Sequence, residues 1–358
     1  TLSTRQGPLD SSKVAREADC HLLITPFCIE TEQEASSPKI EYANTLEAAF
    51  SLASKFAILN QGLRPKPILE KPLASFLTDP FFGVIGLQNV RSALALAAAG
   101  RLNILLFGPP GAGKTMMLQR LHLLLPPLSR KERMETMQIP GCKAQQIPQF
   151  ELRSEMKEKD LVGGKPPQIC QAHNGILVID EIPGFKPNTL RTIQSLLDQK
   201  KCKGFPCNFF VAAAMNACPC GNLGVPEGIC TCSEMQISAY WRKVGSPLLD
   251  RFDLLVPVKN ENLLVSNLIP TKANLTEKIQ EVRLLCLDRQ EEDYRRLLPL
   301  FNRCNPRKDI SLRSALSVCR TAFLIANFKG KDFVAQQDMR EALLYKAYGS
   351  AKPYWQPL

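Results

Sequence analysis

The sequence predicts an α/β protein built on a doubly wound parallel sheet, preceded by a partial α/β segment and followed by a helical domain. Three observations carry this expectation. Four continuous apolar runs alternate with helical patterns in the middle of the chain, a proline-rich stretch separates that region from what precedes it, and beyond Pro257 the periodicity is helical only.

In chain order, residues 1–62 hold a helical pattern at 11–18, a short apolar strand in "CHLLITPF" and a second helical pattern at 44–59. Residues 63–82 are expected to form a linker, since "GLRPKPILEKPLASFLTDP" is rich in proline, which lacks the amide donor that helices and sheets need. The core is expected over 83–258, with strands in "NILLFG" (103–108), "GILVIDE" (175–181), "FFVAAAMN" (209–216) and "DLLVPV" (253–258). Uninterrupted runs of this kind suit parallel strands covered on both faces. Residues 259–358 then read as a separate helical lid.

Composition narrows the partners and the compartment. With 358 residues and 45% hydrophobic content the chain can bury a substantial core. The longest apolar stretch, "ALALAAAG" at 93–100, falls short of the roughly 20 residues that a membrane helix requires. No secretory signal pattern opens the sequence, and its first residue is threonine, so a cut N-terminus and a soluble, cytoplasmic protein are expected. Thirteen cysteines in such a setting point to reduced thiols or metal ligands rather than a disulfide framework. A net charge of +11 and a pI near 9.1 suit a polyanionic partner or simply a basic solvated surface.

The most specific signal lies between the first core strand and the helix after it. Gly108, Pro109, Pro110, Gly111, Ala112, Gly113, Lys114 and Thr115 spell G-x-x-x-x-G-K-T, whose glycines let backbone amides curl around phosphate. In such a loop the lysine reaches the β- and γ-phosphates of ATP and the threonine hydroxyl binds Mg²⁺. "ILVIDE" supplies Asp180 for the metal and Glu181 to orient or deprotonate an attacking water. Asn216 ends the third strand. If that strand lies between the other two its amide reaches the γ-phosphate or the water, and otherwise an Asx turn is the simpler reading. His173 reads as a structural histidine, and Met116 and Met117 as packing residues behind the loop.

These motifs, together with "GLQNVRSALALAAAGRLNILLFGPPGAGKT", "AHNGILVIDEIPGF", "VAAAMNACPCG" and "GSPLLDRFDLLVPV", resemble the magnesium-chelatase-like family of AAA+ ATPases, which includes the competence-associated branch-migration helicases. The resemblance implies an AAA+ P-loop NTPase core, a helical lid and, in the first 62 residues, the tail of an S5-like or Lon-like domain. It further implies that Asn216 is sensor 1, that Arg251 in "LLDRFDL" is an arginine finger reaching a neighbouring subunit, and that Arg313 in "SLRSA" is sensor 2. A finger acting between subunits implies a homo-oligomeric ring, by likeness a hexamer. Read without the resemblance, Arg251 could equally make an ordinary salt bridge and Arg313 a surface charge.

Cys218, Cys220, Cys230 and Cys232 form two Cys-x-Cys pairs with nine residues between, in a segment bent by prolines and glycines. Four thiolates can close a tetrahedral Zn²⁺ shell, and a knuckle this small has too few apolar residues to hold its shape otherwise. Structural zinc is expected at 218–232, a metal-free loop or a disulfide being the alternatives. Two inserts depart from the family. "LLDQKKCKGFPCNF" leaves little room for the β-hairpin that precedes sensor 1, and "LVGGKPPQICQAHNG" is compact. Lys200, Lys201 and Lys203 could touch phosphates there, although a charge cluster at a hairpin tip is usually just solvated. The expected function is ATP hydrolysis by a ring acting on DNA. A chelatase-type motor that remodels a protein partner and a non-hydrolysing assembly module are the competing readings.

Overall fold

Short runs rich in Ile, Leu, Val and Ala pair side by side because each is apolar on both faces and has to be covered on both. The computed structural model describes residues 22–25, 39–42, 80–81, 84, 86–142, 146–225, 228–258, 275–287, 289–305 and 310–347. The expected helices at 11–18 and 44–59 lie outside these residues, as does the expected linker apart from Pro80 and Phe81.

The chain divides into two compact units, residues 1–77 with 128–138, and residues 78–127 with 139–358. In the first unit β1 (Leu22–Thr25) pairs in parallel with β2 (Lys39–Tyr42), and α3 (Arg130–Met137) belongs to the same unit. A capping box starts α3, in which the Ser129 hydroxyl accepts from the Glu132 amide and the Glu132 carboxylate accepts from the Ser129 amide. β2 was not among the strands that the apolar runs predicted, because "KIEY" is short and half charged.

The second unit contains α1 (Gln88–Gly100), β3 (Ile104–Gly108), α2 (Lys114–Leu124), β4 (Gln149–Leu152), α4 (Glu158–Val162), β5 (Ile176–Ile179) and α5 (Pro187–Gln199). It continues with β6 (Lys201–Cys202), β7 (Phe205–Pro206), β8 (Phe210–Asn216), α6 (Glu234–Arg242), α7 (Ser246–Leu249) and β9 (Leu254–Pro257). The helices α8 (Leu275–Leu287), α9 (Glu291–Arg295), α10 (Leu298–Cys304), α11 (Leu312–Phe328) and α12 (Gln336–Ala347) complete it. Five strands make one parallel sheet in the order β4-β5-β8-β3-β9. Four of them are the predicted runs. β4 is an edge strand whose outer residues are partly exposed, so it lacks the continuous apolar signal that marks the other four.

Alternation along the strands divides the core in two. Ile104, Leu106, Val178, Ala212, Ala214 and Val256 face α1, α2 and the C-terminal helices. Leu105, Phe107, Ile179, Val211, Met215 and Leu255 face the side of α5, α6 and α7. Helix α1 is buried on nearly every side from Val90 to Gly100, which explains why its alanine-rich end has no polar face. Its last residue, Gly100, packs closely on α11: a Cβ there would stand 2.5 Å from Leu324 Cδ1, so a larger residue would require that side chain to move. Among the described residues no helix is long and apolar enough to cross a membrane.

Where a family hairpin was expected to lack room, β6 and β7 form one with only two residue pairs, Lys201 with Pro206 and Cys202 with Phe205. Lys203 (φ 49°) and Gly204 (φ 85°) make its tip, the two positive φ values that a tight two-residue hairpin turn requires.

Candidate nucleotide site and cysteine knuckle

Phosphate-binding loops work by presenting backbone amides, and this one is shaped for that. Gly111 (φ 73°) and Gly113 (φ 84°) take left-handed backbone that places the loop before the first turn of α2. Gly108 is needed for another reason. A Cβ there would lie 2.3 Å from the Val258 carbonyl oxygen, so the strand end would be forced away from β9.

The topology brings the remaining predicted residues to the same place. Because β8 lies between β5 and β3, Asn216 pairs in register with Gly108 and its Oδ1 accepts from Lys114 Nζ at 3.2 Å. Lys114 Nζ also donates to the carbonyls of Gly108 (3.0 Å) and Pro109 (2.7 Å). Burial lowers the Lys114 pKa, and the carboxylates of Asp180 and Glu181 oppose that shift. Thr115 Oγ1 donates to Asp180 Oδ2 at 2.8 Å, while Asp180 Oδ1 accepts from the Glu181 amide at 2.9 Å. Glu181 itself sits at φ 48°, a left-handed conformation uncommon for a residue with a side chain. The donor set suits ATP and Mg²⁺: a hydroxyl and a carboxylate converge where a hard cation would bind, beside a lysine and a helix N-terminus for phosphate.

His173 is structural, as expected. Its Nδ1 accepts from the Asn208 amide at 3.0 Å, and its Nε2 lies 3.0 Å from the Asn174 side-chain amide. Of the two methionines read as packing residues, Met117 is fully buried, but Met116 is 38% exposed. Met116 is a correction, because the helix turns it away from the face that Met117 and Leu121 bury.

The knuckle leans on this site. The sulfurs of Cys218, Cys220, Cys230 and Cys232 all lie within 4.8 Å of one another, with 3.3 Å between Cys218 and Cys220, 3.6 Å between Cys220 and Cys230, and 3.7 Å between Cys230 and Cys218. A tetrahedral zinc with Zn–S bonds of about 2.3 Å places its sulfurs about 3.8 Å apart, so the four fit that ion. A backbone hydrogen bond at Asn222 draws the Cys220 thiol down to about 6, while burial pushes Cys218 up to about 12. Among the described residues this is the one group of three or more ligating side chains that converges in this way. Gly221 (φ 80°) lies against the phosphate loop, since a Cβ on it would stand 3.1 Å from Pro110 Cδ.

After the knuckle, α6 returns to the sheet. Trp241 Nε1 donates to the Ala217 carbonyl at 3.1 Å, and its ring meets Phe107 edge-on at a centroid distance of 5.1 Å. Such an aromatic pair contributes about 0.5–1.5 kcal/mol beyond simple burial. At the preceding residue, burial and the charge of Glu181 push Tyr240 up to about 12, and the Asn216 backbone hydrogen-bonds its phenol. No motif singled out Tyr240. Its place beside the acid arises only when α6 docks on β8.

Arg251 and Arg313 lie elsewhere. Arg251 Nε donates to Asp198 Oδ1 at 3.2 Å and its Nη2 pairs with Asp198 Oδ2, while Arg313 Nη2 lies 3.2 Å from Asp198 Oδ1. The Arg251 carbonyl accepts from Asn103 Nδ2 at 2.8 Å. Asn103 precedes β3, whereas the phosphate loop follows it, so five strand residues, about 16 Å, separate the two ends. The structure thus brings Lys114, Thr115, Asp180, Glu181 and Asn216 together and puts Arg251 and Arg313 at the opposite end of the sheet. Asp198, which joins the two arginines, carried no sequence signal beyond being an acid late in a helix.

Comparison with known proteins agrees with this geometry. Residues 81–264 match the family described as "Magnesium chelatase, subunit ChlI". The chain is 30% identical over 332 residues to the uncharacterized protein YifB of Salmonella typhimurium (80% of this chain, 65% of that protein). It is also 30% identical to YifB of Escherichia coli strain K12 (79% of this chain, 63% of that protein) and to the competence protein ComM of Haemophilus influenzae (76% and 60%). The chain therefore spans between 60% and 65% of the length of these relatives. With a match across more than half its length and a phosphate loop, acid pair and polar strand end assembled on one parallel sheet, the chain belongs to the magnesium chelatase subunit ChlI family.

Proposed function

We propose that this protein is an AAA+ ATPase that hydrolyses ATP in a homo-oligomeric ring and acts on DNA in a competence-related role. The single observation that carries the ATPase reading is the cluster of Lys114, Asn216, Thr115, Asp180 and Glu181 at the C-terminal ends of three adjacent strands. Lys114 and the loop amides bind and orient the phosphates; Thr115 and Asp180 hold Mg²⁺, which neutralises phosphate charge when bound. Glu181 takes the proton of the attacking water, and Asn216 holds Lys114 and the water in line. The C-terminal helical segment over 259–358, of which residues 275–287, 289–305 and 310–347 are described, acts as the lid.

The ring reading rests on the separation of the arginines from their own phosphate loop. An arginine about 16 Å away cannot stabilise charge on that phosphate, so Arg251, as a finger, and Arg313, as sensor 2, serve the site of a neighbouring copy. The four cysteines hold one structural Zn²⁺, which has no open position for catalysis. DNA as the partner is supported by the net charge of +11 and by the similarity to a protein named for competence.

The test is the ATPase rate of the purified protein with and without single-stranded or branched DNA. Stimulation by DNA that weakens as salt is raised is expected, together with a loss on the order of 10²-fold or more in Glu181→Gln while ATP binding persists. An unaltered rate in Glu181→Gln would sink the catalytic assignment. The family's chelatase name favours a second reading, a motor that remodels a protein partner, and turnover indifferent to DNA at all salt concentrations would favour it over the first.

A further inference from the structure

We infer that Asp198 is a positioning residue that clamps Arg251 and Arg313 into one two-arginine unit presented to the phosphates of a neighbouring copy. This rests on the reading of Arg251 as a finger that acts between subunits.

Asp198 sits in the last turn of α5 and makes a fork-to-fork pair with Arg251, through Nε to Oδ1 at 3.2 Å and Nη2 to Oδ2. Arg313, at the start of α11, reaches the same Oδ1 at 3.2 Å. The hydrogen bond from Arg251, reinforced by the charges of both arginines, lowers the Asp198 pKa below the usual carboxylate range, so the carboxylate is ionised at neutral pH. One negative charge between two guanidinium groups leaves one net positive charge. The unit can therefore offer a cation to an anion, most readily through the more exposed Arg313. Arg251 is only 13% exposed, whereas Arg313 is 49% exposed, so the carboxylate fixes a buried cation and an outward-facing one in a single place.

The loop that carries Arg251 is held with similar care by the C-terminal helices. Asp250 accepts from Ser311 Oγ at 3.0 Å and from Ser314 Oγ at 2.5 Å, and Asp253 accepts from Ser317 Oγ at 2.6 Å and from the Asn103 amide at 2.8 Å. Lys346, almost fully buried, donates to the backbone carbonyls of Asp250 and Phe252. With the backbone on either side of Arg251 fixed by α11, α12 and β3, its guanidinium is aimed by the Asp198 carboxylate together with the Pro247 carbonyl, which accepts from Arg251 Nη1 at 2.5 Å. An exposed ion pair contributes little to stability, so a carboxylate here matters mainly through what it orients.

The experiment compares Asp198→Asn and Asp198→Glu with the wild-type chain. It measures the ATPase kcat and KM of the assembled protein, the affinity for a fluorescent ATP analogue, and the assembly state by solution mass. Asp198→Asn is expected to lower kcat by about tenfold to a hundredfold, as a misplaced charge does, with KM and analogue affinity within about twofold and assembly retained. Asp198→Glu, which keeps the charge, is expected to recover most of the loss. An Asp198→Asn rate equal to or above wild type would overturn the inference, since the carboxylate would then be neutral or holding the arginines back. Loss of assembly that Asp198→Glu does not rescue would also overturn it, by reducing Asp198 to a local staple. Arg251→Ala separates the two levels of the argument. If it leaves kcat unchanged, the finger reading fails and this inference with it; if it abolishes turnover while Asp198→Asn does not lower it, this inference alone fails.

Discussion

The two ends of the central sheet are built by opposite means. At the C-terminal ends of β3, β5 and β8, contiguous motifs deliver their residues directly, and the hydrogen bonds among Lys114, Thr115, Asp180 and Asn216 cross at most one intervening strand. At the other end, Asp198, Arg251, Arg313, Asp250 and Lys346 come from a helix end, a loop and two C-terminal helices, and no local pattern foretells that they meet. The first end gathers the loop lysine and threonine, the acid pair and the strand-end asparagine within one chain. The second carries positive charge with no phosphate of its own within reach, which is the form expected of half a site.

That contrast is open to direct attack. The largest effect is expected from mixing. Lys114→Ala chains lose phosphate binding and Arg251→Ala chains lose the finger, so each alone should fall by about 10³-fold or more in ATPase rate. Mixed in equal amounts they should regain roughly a quarter of wild-type activity, because a ring then contains sites with a good loop from one chain and a good arginine from the next. Mixtures as inactive as their parents would show that the arginines do not act between chains.

A smaller effect is expected at the knuckle, which links the two ends in sequence and touches the first through Gly221 against Pro110. Cys230→Ser should abolish the single bound zinc measured by elemental analysis and lower the melting temperature by at least ~4 °C. It should also weaken the ATP analogue more than it weakens assembly. Equal zinc content in mutant and wild type would refute the metal site.

The smallest effect concerns pH. The hydrogen bond from Arg251 and the charges of both arginines hold the folded Asp198 pKa below the ordinary aspartate value of about 3.9. The stabilisation it gives is therefore complete above that value and is lost as pH falls through the lower, folded one. The difference in stability between wild type and Asp198→Asn should thus be flat from neutral pH to about pH 5 and shrink only below it. A difference that disappears nearer neutrality would mean that the carboxylate is not held by the arginines.

Much of the first end was legible in advance because its chemistry is local. A G-x-x-x-x-G-K-T run can be read from eight consecutive residues, and an acid pair after an apolar strand from seven. Asn216 needed one further fact, the strand order, and its value as a site residue depended on β8 inserting between β5 and β3. The edge strand β4 escaped notice because one exposed face breaks its apolar run. Met116 was misplaced because residues about 100° apart on a helix need not share a face: Met117 and Leu118 fall within the buried arc of α2, and Met116 falls outside it. Tyr240 and Asp198 had no signal at all, since a tyrosine in one helix and an acid in another acquire meaning only from what docks on them.

Interactions between near neighbours in the chain suffice to specify a parallel α/β core, a G-x-x-x-x-G-K-T loop, an acid pair and a four-cysteine knuckle, because backbone propensity, periodicity and residue spacing act over a few residues. Tertiary structure alone decided which strand stands beside the loop, that the knuckle rests on Pro110, and that two arginines share one carboxylate at the far end of the sheet. The physical reason is range. Hydrogen bonds and ion pairs between residues more than fifty positions apart, such as those from Arg251 to Asp198, depend on how whole helices pack, and packing is a property of the assembled core.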